Sequence, residues 1–137
     1  GIRNNNPLNL IKTTTNWLGK VKPGSDKEFE QFLTMKLGVR AAFINIKTIA
    51  CRIKLNYRHP ATIWELIQIW VPPYDGNDVD EYAKAVFNIS GLSSSDLIDF
   101  KNKDFMCKLV NAMIFVENGM TIDYTIITEA YDLAFAK

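Results

Sequence analysis

The sequence contains little histidine and little cysteine, and this scarcity limits the sites that it can form. It has one His and 2 Cys in 137 residues. A zinc site built from protein ligands needs three or four such side chains, so neither a metal nor another cofactor is expected. A cysteine nucleophile activated by His59 is also disfavoured, because it would need a third group for orientation. Cys51 and Cys107 fall in predicted helices among apolar neighbours, which favours buried free thiols over a disulfide.

Long apolar runs and an excess of one charge are missing as well. The apolar runs are far shorter than a membrane span, so no membrane span is predicted. Lys plus Arg number 16 against 15 for Asp plus Glu, so no overall charge steers the chain toward nucleic acid. No signal peptide is visible, and because the sequence begins at Gly1 without Met, a leader or upstream region is not visible in it.

The length and residue patterns of the sequence predict one domain over residues 1–137, with an α+β fold that is mainly α. Turn residues divide the first part of the chain into short apolar segments, which predicts a small N-terminal antiparallel β-sheet. The predicted strands are 8–12, 17–21 and 28–32. From Met35 onward the apolar residues recur at helical spacing, which predicts about five helices. The predicted helices are 35–57, 62–71, 78–88, 104–118 and 123–137, with Asp78, Asp104 and Asp123 as N-caps and a short turn at 96–100.

The helix predicted from Asp104 onward is apolar on every side in its second half, as expected for a helix buried in a core. It ends in Glu117-Asn118-Gly119, where glycine suits the left-handed residue that stops a helix. Glu117 shares a face with Met113 and Ile114, so partial desolvation and the negative end of the helix dipole both disfavour its charge. Both effects raise the pKa of the carboxyl, as a general acid near neutral pH requires. The alternative is that Glu117 turns into water at a frayed helix end.

An ordered series of motifs covers almost the whole chain. The motifs are GIRNNNPLNL at 1–10, WLG at 17–19, FEQF at 29–32, GVRA at 38–41, WVPP at 70–73, ND at 77–78 with Tyr82, and ENG at 117–119. Together they resemble a family of phage and prophage "structural protein" sequences. The chain departs from the family pattern at Leu8 (usually Gly), Val71 (usually Ala), Val79 (usually Thr) and Val116 (usually His). The change at Val116 leaves Glu117 in a more apolar setting, which fits either a raised pKa or a copy without catalysis.

The first half of the chain is also similar to flagellar-type and autolysin-type N-acetylglucosaminidases, in the region that follows their catalytic Glu. Those enzymes resemble lysozyme, whose catalytic Glu ends a buried helix directly before a small sheet. Here the sheet is predicted first and the helix that ends in Glu117 comes near the end. The resemblance therefore implies a circularly permuted lysozyme-like domain, with Glu117 beside the Asn4-Asn5-Asn6 turn.

This resemblance implies a hydrolase that cleaves the glycan strands of peptidoglycan, of muramidase, glucosaminidase or lytic transglycosylase type, with Glu117 as general acid. Glu30 and Asp78 are weak candidates for a second carboxylate. The alternation with Phe29 favours a solvent-facing Glu30, and Asp78 is favoured as a helix cap. A single Glu also suffices when the N-acetyl group of the substrate assists. The candidate sugar-binding residues, aromatic rings for stacking and amides for hydrogen bonding, are Asn5, Asn6, Trp17, Tyr74 and Tyr82.

The rival interpretation is a virion structural or cell-wall-binding module without turnover, since fold does not imply function. Under either interpretation the expected partners are peptidoglycan strands and other virion proteins. The expected location is the virion, or the bacterial cell wall or periplasm after export.

Overall fold

The protein is described from a computed structural model, which covers residues 1–71 and 78–135. Five α-helices follow a single 3₁₀ turn at Ile2–Asn4 within these ranges. They are α1 (Met35–Tyr57), α2 (Ile63–Trp70), α3 (Val79–Ser90), α4 (Lys103–Asn118) and α5 (Tyr124–Phe135). None of the described helices is long and apolar enough to cross a membrane.

Helices α1 and α4 carry most of the hydrophobic core. On α1 the buried side chains include Phe43, Ile46 and Ile53, and on α4 they include Leu109 and Met113. Helix α1 packs mainly against α5, while α4 packs against α3 and α5. Because α4 is buried along most of its length, the position of its last turn is fixed by the core.

The predicted N-terminal β-sheet is wrong, and so is the α+β fold class. The described residues contain helices and no strand. The three segments predicted as strands do meet, through two isolated antiparallel bridges, Ile11 with Phe29 and Lys20 with Phe32, and through a few backbone hydrogen bonds. The fold is therefore all-helical over the described ranges, with a long irregular N-terminal segment.

Side-chain amides explain why this segment does not form a ladder. The Asn6 amide nitrogen donates to the carbonyls of Leu10 and Glu30 at 3.0 and 2.9 Å, and its oxygen accepts from the Leu10 N–H at 2.9 Å. Asn5 and Asn9 adopt left-handed backbone conformations, with φ of 53° and 55°. The Asn6 side chain therefore takes the Leu10 N–H and the Glu30 carbonyl, which would otherwise pair with each other, while the Glu30 N–H still donates to the Leu10 carbonyl at 3.0 Å.

The N-terminal segment lies directly on α1 at Gly38. A Cβ atom added there would fall 1.7 Å from the carbonyl oxygen of Asn5, so no larger residue fits at this close approach. Leu10 and Phe32 from the segment and Ala41 from α1 form a second, smaller apolar cluster. The segment is thus packed against the helices as part of the same folded unit.

Several helix ends and burial assignments differ from the predictions. Helix α4 begins at Lys103 and is capped by the side chain of Asn102, so the prediction of Asp104 as its N-cap is wrong. The short turn predicted at 96–100 is replaced by an isolated bridge of Leu97 with Thr62, which lies between turns at 94–95 and 100–101. Both cysteines are free, but only Cys107 is buried, because Cys51 lies on the exposed face of α1.

Candidate functional site

The site centres on Glu117, one residue before the end of α4. Gly119 caps the end of α4, with φ 68° and its N–H donating to the carbonyl of Phe115. Met113 and Ile114, on the same face one turn earlier, are fully buried. Glu117 itself is half-buried. Its carboxylate therefore lies at the boundary between the core and solvent.

Three neutral donors from three separate segments bind the Glu117 carboxylate. Asn9 Nδ2 lies 3.1 Å from Oε1. The Trp70 indole Nε1 lies 3.1 Å from Oε2, and the Tyr82 hydroxyl lies 2.8 Å from the same oxygen. These donors come from the N-terminal segment, the last residue of α2 and the first turns of α3. The carboxylate thus joins elements that are distant in sequence.

A second contact fixes the N-terminal segment against the end of α4. Asn118 donates through Nδ2 to the carbonyl of Pro7 at 2.7 Å and to that of Ile114 at 2.9 Å. The left-handed backbone at Asn9 follows a turn in which its N–H donates to the carbonyl of Asn6 at 3.0 Å. The Asn-rich turn and the Glu117 helix are therefore adjacent in space, although more than a hundred residues separate Asn9 from Glu117.

Burial raises the pKa of the Glu117 carboxyl above its ordinary value. The hydrogen bonds from Tyr82, Asn9 and Trp70 and the nearby ammonium of Gly1 act in the opposite direction, because they stabilise the charged form, but desolvation is the larger effect. The pKa of Tyr82 is raised well above its ordinary value by burial and by the neighbouring Glu117. The phenol therefore stays protonated, and stays a hydrogen-bond donor, to a higher pH than an exposed tyrosine.

The two predicted amides of the N-terminal turn are engaged with the backbone. Asn6 is fully buried and makes the three hydrogen bonds to Leu10 and Glu30 described above. Asn5 donates through Nδ2 to the carbonyl of Phe32 at 3.0 Å. These contacts give both residues a structural task. Their predicted role in sugar binding stays a prediction.

Glu30, predicted to face solvent, is instead 1% exposed. Its Oε2 lies 3.1 Å from the ammonium of Lys20 and 3.2 Å from the N–H of Thr13. Lys20 also donates to the carbonyls of Thr13 and Thr15, so all three of its N–H groups are used. Among the described groups, Glu30 Oε1 has no hydrogen-bond partner. The alternation with Phe29 was misleading because the strand that it assumed does not form.

The remaining predicted residues are dispersed. Asp78 is exposed and caps α3, its side chain accepting from the N–H of Glu81 at 3.1 Å. Trp17 packs beside the small cluster around Leu10 and lines a groove of ≈ 850 Å³ with Arg40 and neighbouring residues. Tyr74 lies outside the described residues. Of the predicted sugar-binding residues, Tyr82 alone is a hydrogen-bond partner of Glu117 within the described ranges.

Two residues of the site, Asn9 and Trp70, were not predicted from the sequence. The apolar pattern of its helix favours Trp70 as a core residue, and its ring does pack against both apolar clusters, while its N–H reaches Glu117. An indole N–H usually needs a partner when it is buried, and this was the one available signal. Nothing in the local sequence indicated Asn9.

Within the described ranges, no three His, Cys, Asp or Glu side chains come close enough together to hold a metal ion. The chemistry available at Glu117 is therefore that of a single desolvated carboxyl surrounded by neutral donors. Such a group can give a proton to a bound substrate and take one back.

No protein-family model matches the sequence. The chain is 31% identical over 122 residues to Protein P5 of Pseudoalteromonas phage PM2. This alignment includes 87% of the chain and 71% of the phage protein.

Proposed function

We propose that this chain, which belongs to the family of Protein P5 of Pseudoalteromonas phage PM2, cleaves the glycan strands of peptidoglycan, with Glu117 as general acid. The observation that carries this proposal is the setting of the Glu117 carboxyl. It is desolvated enough to raise its pKa, yet it remains partly accessible. The proposal rests on this site and not on the α+β lysozyme-like fold, which the all-helical structure contradicts.

In the hydrogen-bond pattern, one lone pair of the carboxyl has no donor among the described residues. Each carboxylate oxygen has two lone pairs. Those of Oε2 are directed toward Trp70 and Tyr82, whereas Oε1 accepts only from Asn9 among the described residues. A proton on Glu117 would therefore reside on Oε1, where it can be directed toward a substrate. The fixed donors hold the carboxyl in one orientation while its protonation changes.

The cleavage reaction follows from a single carboxyl. Glu117 donates its proton to the glycosidic oxygen while the bond from that oxygen to the anomeric carbon breaks. The carbonyl oxygen of the substrate's own N-acetyl group stabilises the positive sugar ring by bonding to the anomeric carbon. The Glu117 carboxylate then accepts a proton from the attacking group, either water or a hydroxyl of the same sugar. The first yields a hydrolysed end and the second yields an anhydro sugar.

One observation favours the rival function, a virion structural or wall-binding module without turnover. The three hydrogen bonds of Glu117 join the N-terminal segment, α2 and α3, which is what a purely structural carboxylate would do. The two functions differ in one respect. A structural Glu117 affects stability alone, whereas a general acid controls the rate of cleavage in a protein that stays folded.

The experiment is release of soluble fragments from purified peptidoglycan by the wild-type protein and by Glu117→Gln, with the products identified by mass spectrometry. Gln keeps the shape of the side chain but cannot donate the proton, so the rate should fall by about 10²- to 10⁴-fold. Glu28→Gln is the matched control, because Glu28 is an exposed carboxylate of the N-terminal segment. Its rate should be unchanged. A folded wild-type protein that binds glycan without releasing fragments would favour the structural module instead.

A further inference from the structure

A groove lies at the far end of α4 from Glu117. It is a groove of ≈ 900 Å³ between the middle of α1, the end of α5 and residues 98–101. Residues 98–101 lead into the first turn of α4, whereas Glu117 lies in its last turn. Because a helix rises 1.5 Å per residue, the groove is about 20 Å from the proposed general acid. It is therefore separate from the proposed cleavage site.

The rim of the groove is basic. Lys47 and Lys54 reach it from α1 and Lys101 reaches it from the segment before α4. The residues that line the groove include one carboxylate, that of Asp99, which already accepts from the N–H of Lys101 at 3.1 Å. Among the described residues none of the three lysines pairs with a carboxylate. The groove therefore presents uncompensated positive charge on a protein whose overall charge is close to zero.

The floor of the groove is apolar and held in place. Phe100 and Phe135 form part of it, and the Lys47 ammonium lies 5.9 and 5.8 Å from their ring centroids. The Tyr131 hydroxyl donates to the carbonyl of Phe100. The N–H of Ile98 donates to the carbonyl of Ala61 at 2.9 Å, which joins the opposite wall. A ligand would thus meet a preformed apolar surface below and ammonium groups above.

From this arrangement we propose that the groove binds a short acidic peptide segment of a protein partner, with an apolar side chain on the floor and carboxylates at the lysines. The volume lies within the range of pockets that enclose a small ligand or a few side chains. Nucleic acid fits less well, because the basic charge here is three lysines around one compact groove on a chain with a net charge of +1, whereas a nucleic-acid backbone needs an extended basic surface. A membrane surface fits less well, because the apolar residues lie at the bottom of a concavity and do not protrude.

The test is a titration of the ¹⁵N-labelled protein with three matched pentapeptides, followed by amide chemical shifts. The peptides are Glu-Glu-Phe-Glu-Glu, its Gln-Gln-Phe-Gln-Gln counterpart and Glu-Glu-Ala-Glu-Glu. We expect shifts confined to residues 47–54, 60–61, 98–101 and 131–135, strongest with the first peptide. The second peptide lacks the carboxylates and the third lacks the phenyl group, and each should bind more weakly than the first by roughly tenfold or more.

The variant for this test is Lys54→Glu with Lys101→Glu, since both side chains are exposed and neither covers an aromatic ring. It should weaken binding of the first peptide by at least about tenfold. Lys27→Glu with Lys84→Glu is the control, because it makes the same charge change at exposed positions outside the groove. The proposal is overturned by an absence of shifts, by shifts elsewhere, or by equal binding of the Gln peptide. Tighter binding of oligothymidylate or of phosphatidylglycerol vesicles to the same groove would also overturn it.

Discussion

Two glutamates hold the N-terminal segment in place, but their carboxylates are satisfied in opposite ways. Glu30 is 1% exposed and pairs with the ammonium of Lys20 at 3.1 Å. Glu117 is half-buried and, among the described residues, accepts from an amide, an indole and a phenol, with no lysine or arginine beside it. The same residue type thus occurs once in direct contact with a cation and once with neutral hydrogen-bond donors, the ammonium of Gly1 acting on Glu117 only without a hydrogen bond.

This difference indicates which carboxylate can take part in proton transfer. A buried carboxylate that is paired with a cation leaves that cation unpaired when it takes up a proton, so the pair acts as a fixed unit. A desolvated carboxylate among neutral donors loses less when it is protonated, because the donors need no charge to bind it. Glu30 therefore serves the architecture, and Glu117 has the environment of an acid.

The largest change in stability is expected when the ion pair between Lys20 and Glu30 is broken. Lys20→Met removes the cation and leaves a buried carboxylate unpaired, which should lower the free energy of unfolding by about 3–5 kcal/mol. Urea denaturation measures this loss. Lys36→Met is the matched control, because the Lys36–Glu129 pair has a similar distance of 3.2 Å but is exposed, and it should cost about 0–1 kcal/mol. Equal costs for the two variants would contradict the view of Glu30 as a buried, cation-dependent anchor.

The substitution Tyr82→Phe removes the hydroxyl that donates to Glu117 Oε2 at 2.8 Å. The loss of a hydrogen bond to a charged group should lower the free energy of unfolding by about 1.5–3 kcal/mol where Glu117 is ionised. Since this donor stabilises the carboxylate, its loss should raise the pKa of Glu117 further and move the alkaline limit of any cleavage activity upward. A ¹³C titration of the carboxyl measures the pKa. Tyr124→Phe, at an exposed ring, should leave that pKa unchanged, and a lower pKa in Tyr82→Phe would contradict this account.

A smaller effect is expected in the pH dependence of stability. Because the pKa of Glu117 is raised in the folded protein, the folded state retains its proton to higher pH than the unfolded chain. The stabilisation is complete below the ordinary value of 4.5 and is lost as the pH rises through the folded pKa. One proton changes the free energy by at most about 1.4 kcal/mol per pH unit. The stability of the wild-type protein relative to Glu117→Gln should therefore fall with rising pH, and a flat or rising difference would contradict the prediction.

The sequence predicts the helical part of the fold well, because it is determined by local patterns. Helix α1 has the predicted bounds Met35–Tyr57, since its apolar residues repeat at helical spacing for six turns. The capping box of Thr62 and Glu65 fixes the start of α2 one residue after the predicted position. The raised pKa of Glu117 was also predictable, because it follows from apolar neighbours on the same helix face.

The N-terminal segment could not be predicted in the same way. Its short apolar stretches are typical of strands, but the side chain of Asn6 takes the backbone groups of Leu10 and Glu30. Whether an amide bonds to water, to sugar or to backbone depends on the folded arrangement and not on the local sequence. For the same reason Asn9 was missed, since its contact with Glu117 joins opposite ends of the chain.

The smallest expected effect concerns a third carboxylate, Asp78, which is exposed and caps α3. Asn is an equally good N-cap, so Asp78→Asn should change the free energy of unfolding by only a few tenths of a kcal/mol, whereas Asp78→Ala should cost about 1 kcal/mol. If Asp78 acts only as a cap, both variants should release peptidoglycan fragments at the wild-type rate wherever they are folded. A second catalytic carboxylate would instead lose about 10²-fold or more in Asp78→Asn without a change in stability. Asn keeps the helix cap but removes the charge of the side chain. A loss of activity in Asp78→Asn would therefore identify Asp78 as a charged catalytic partner of Glu117, and the mechanism with a single carboxyl would be wrong.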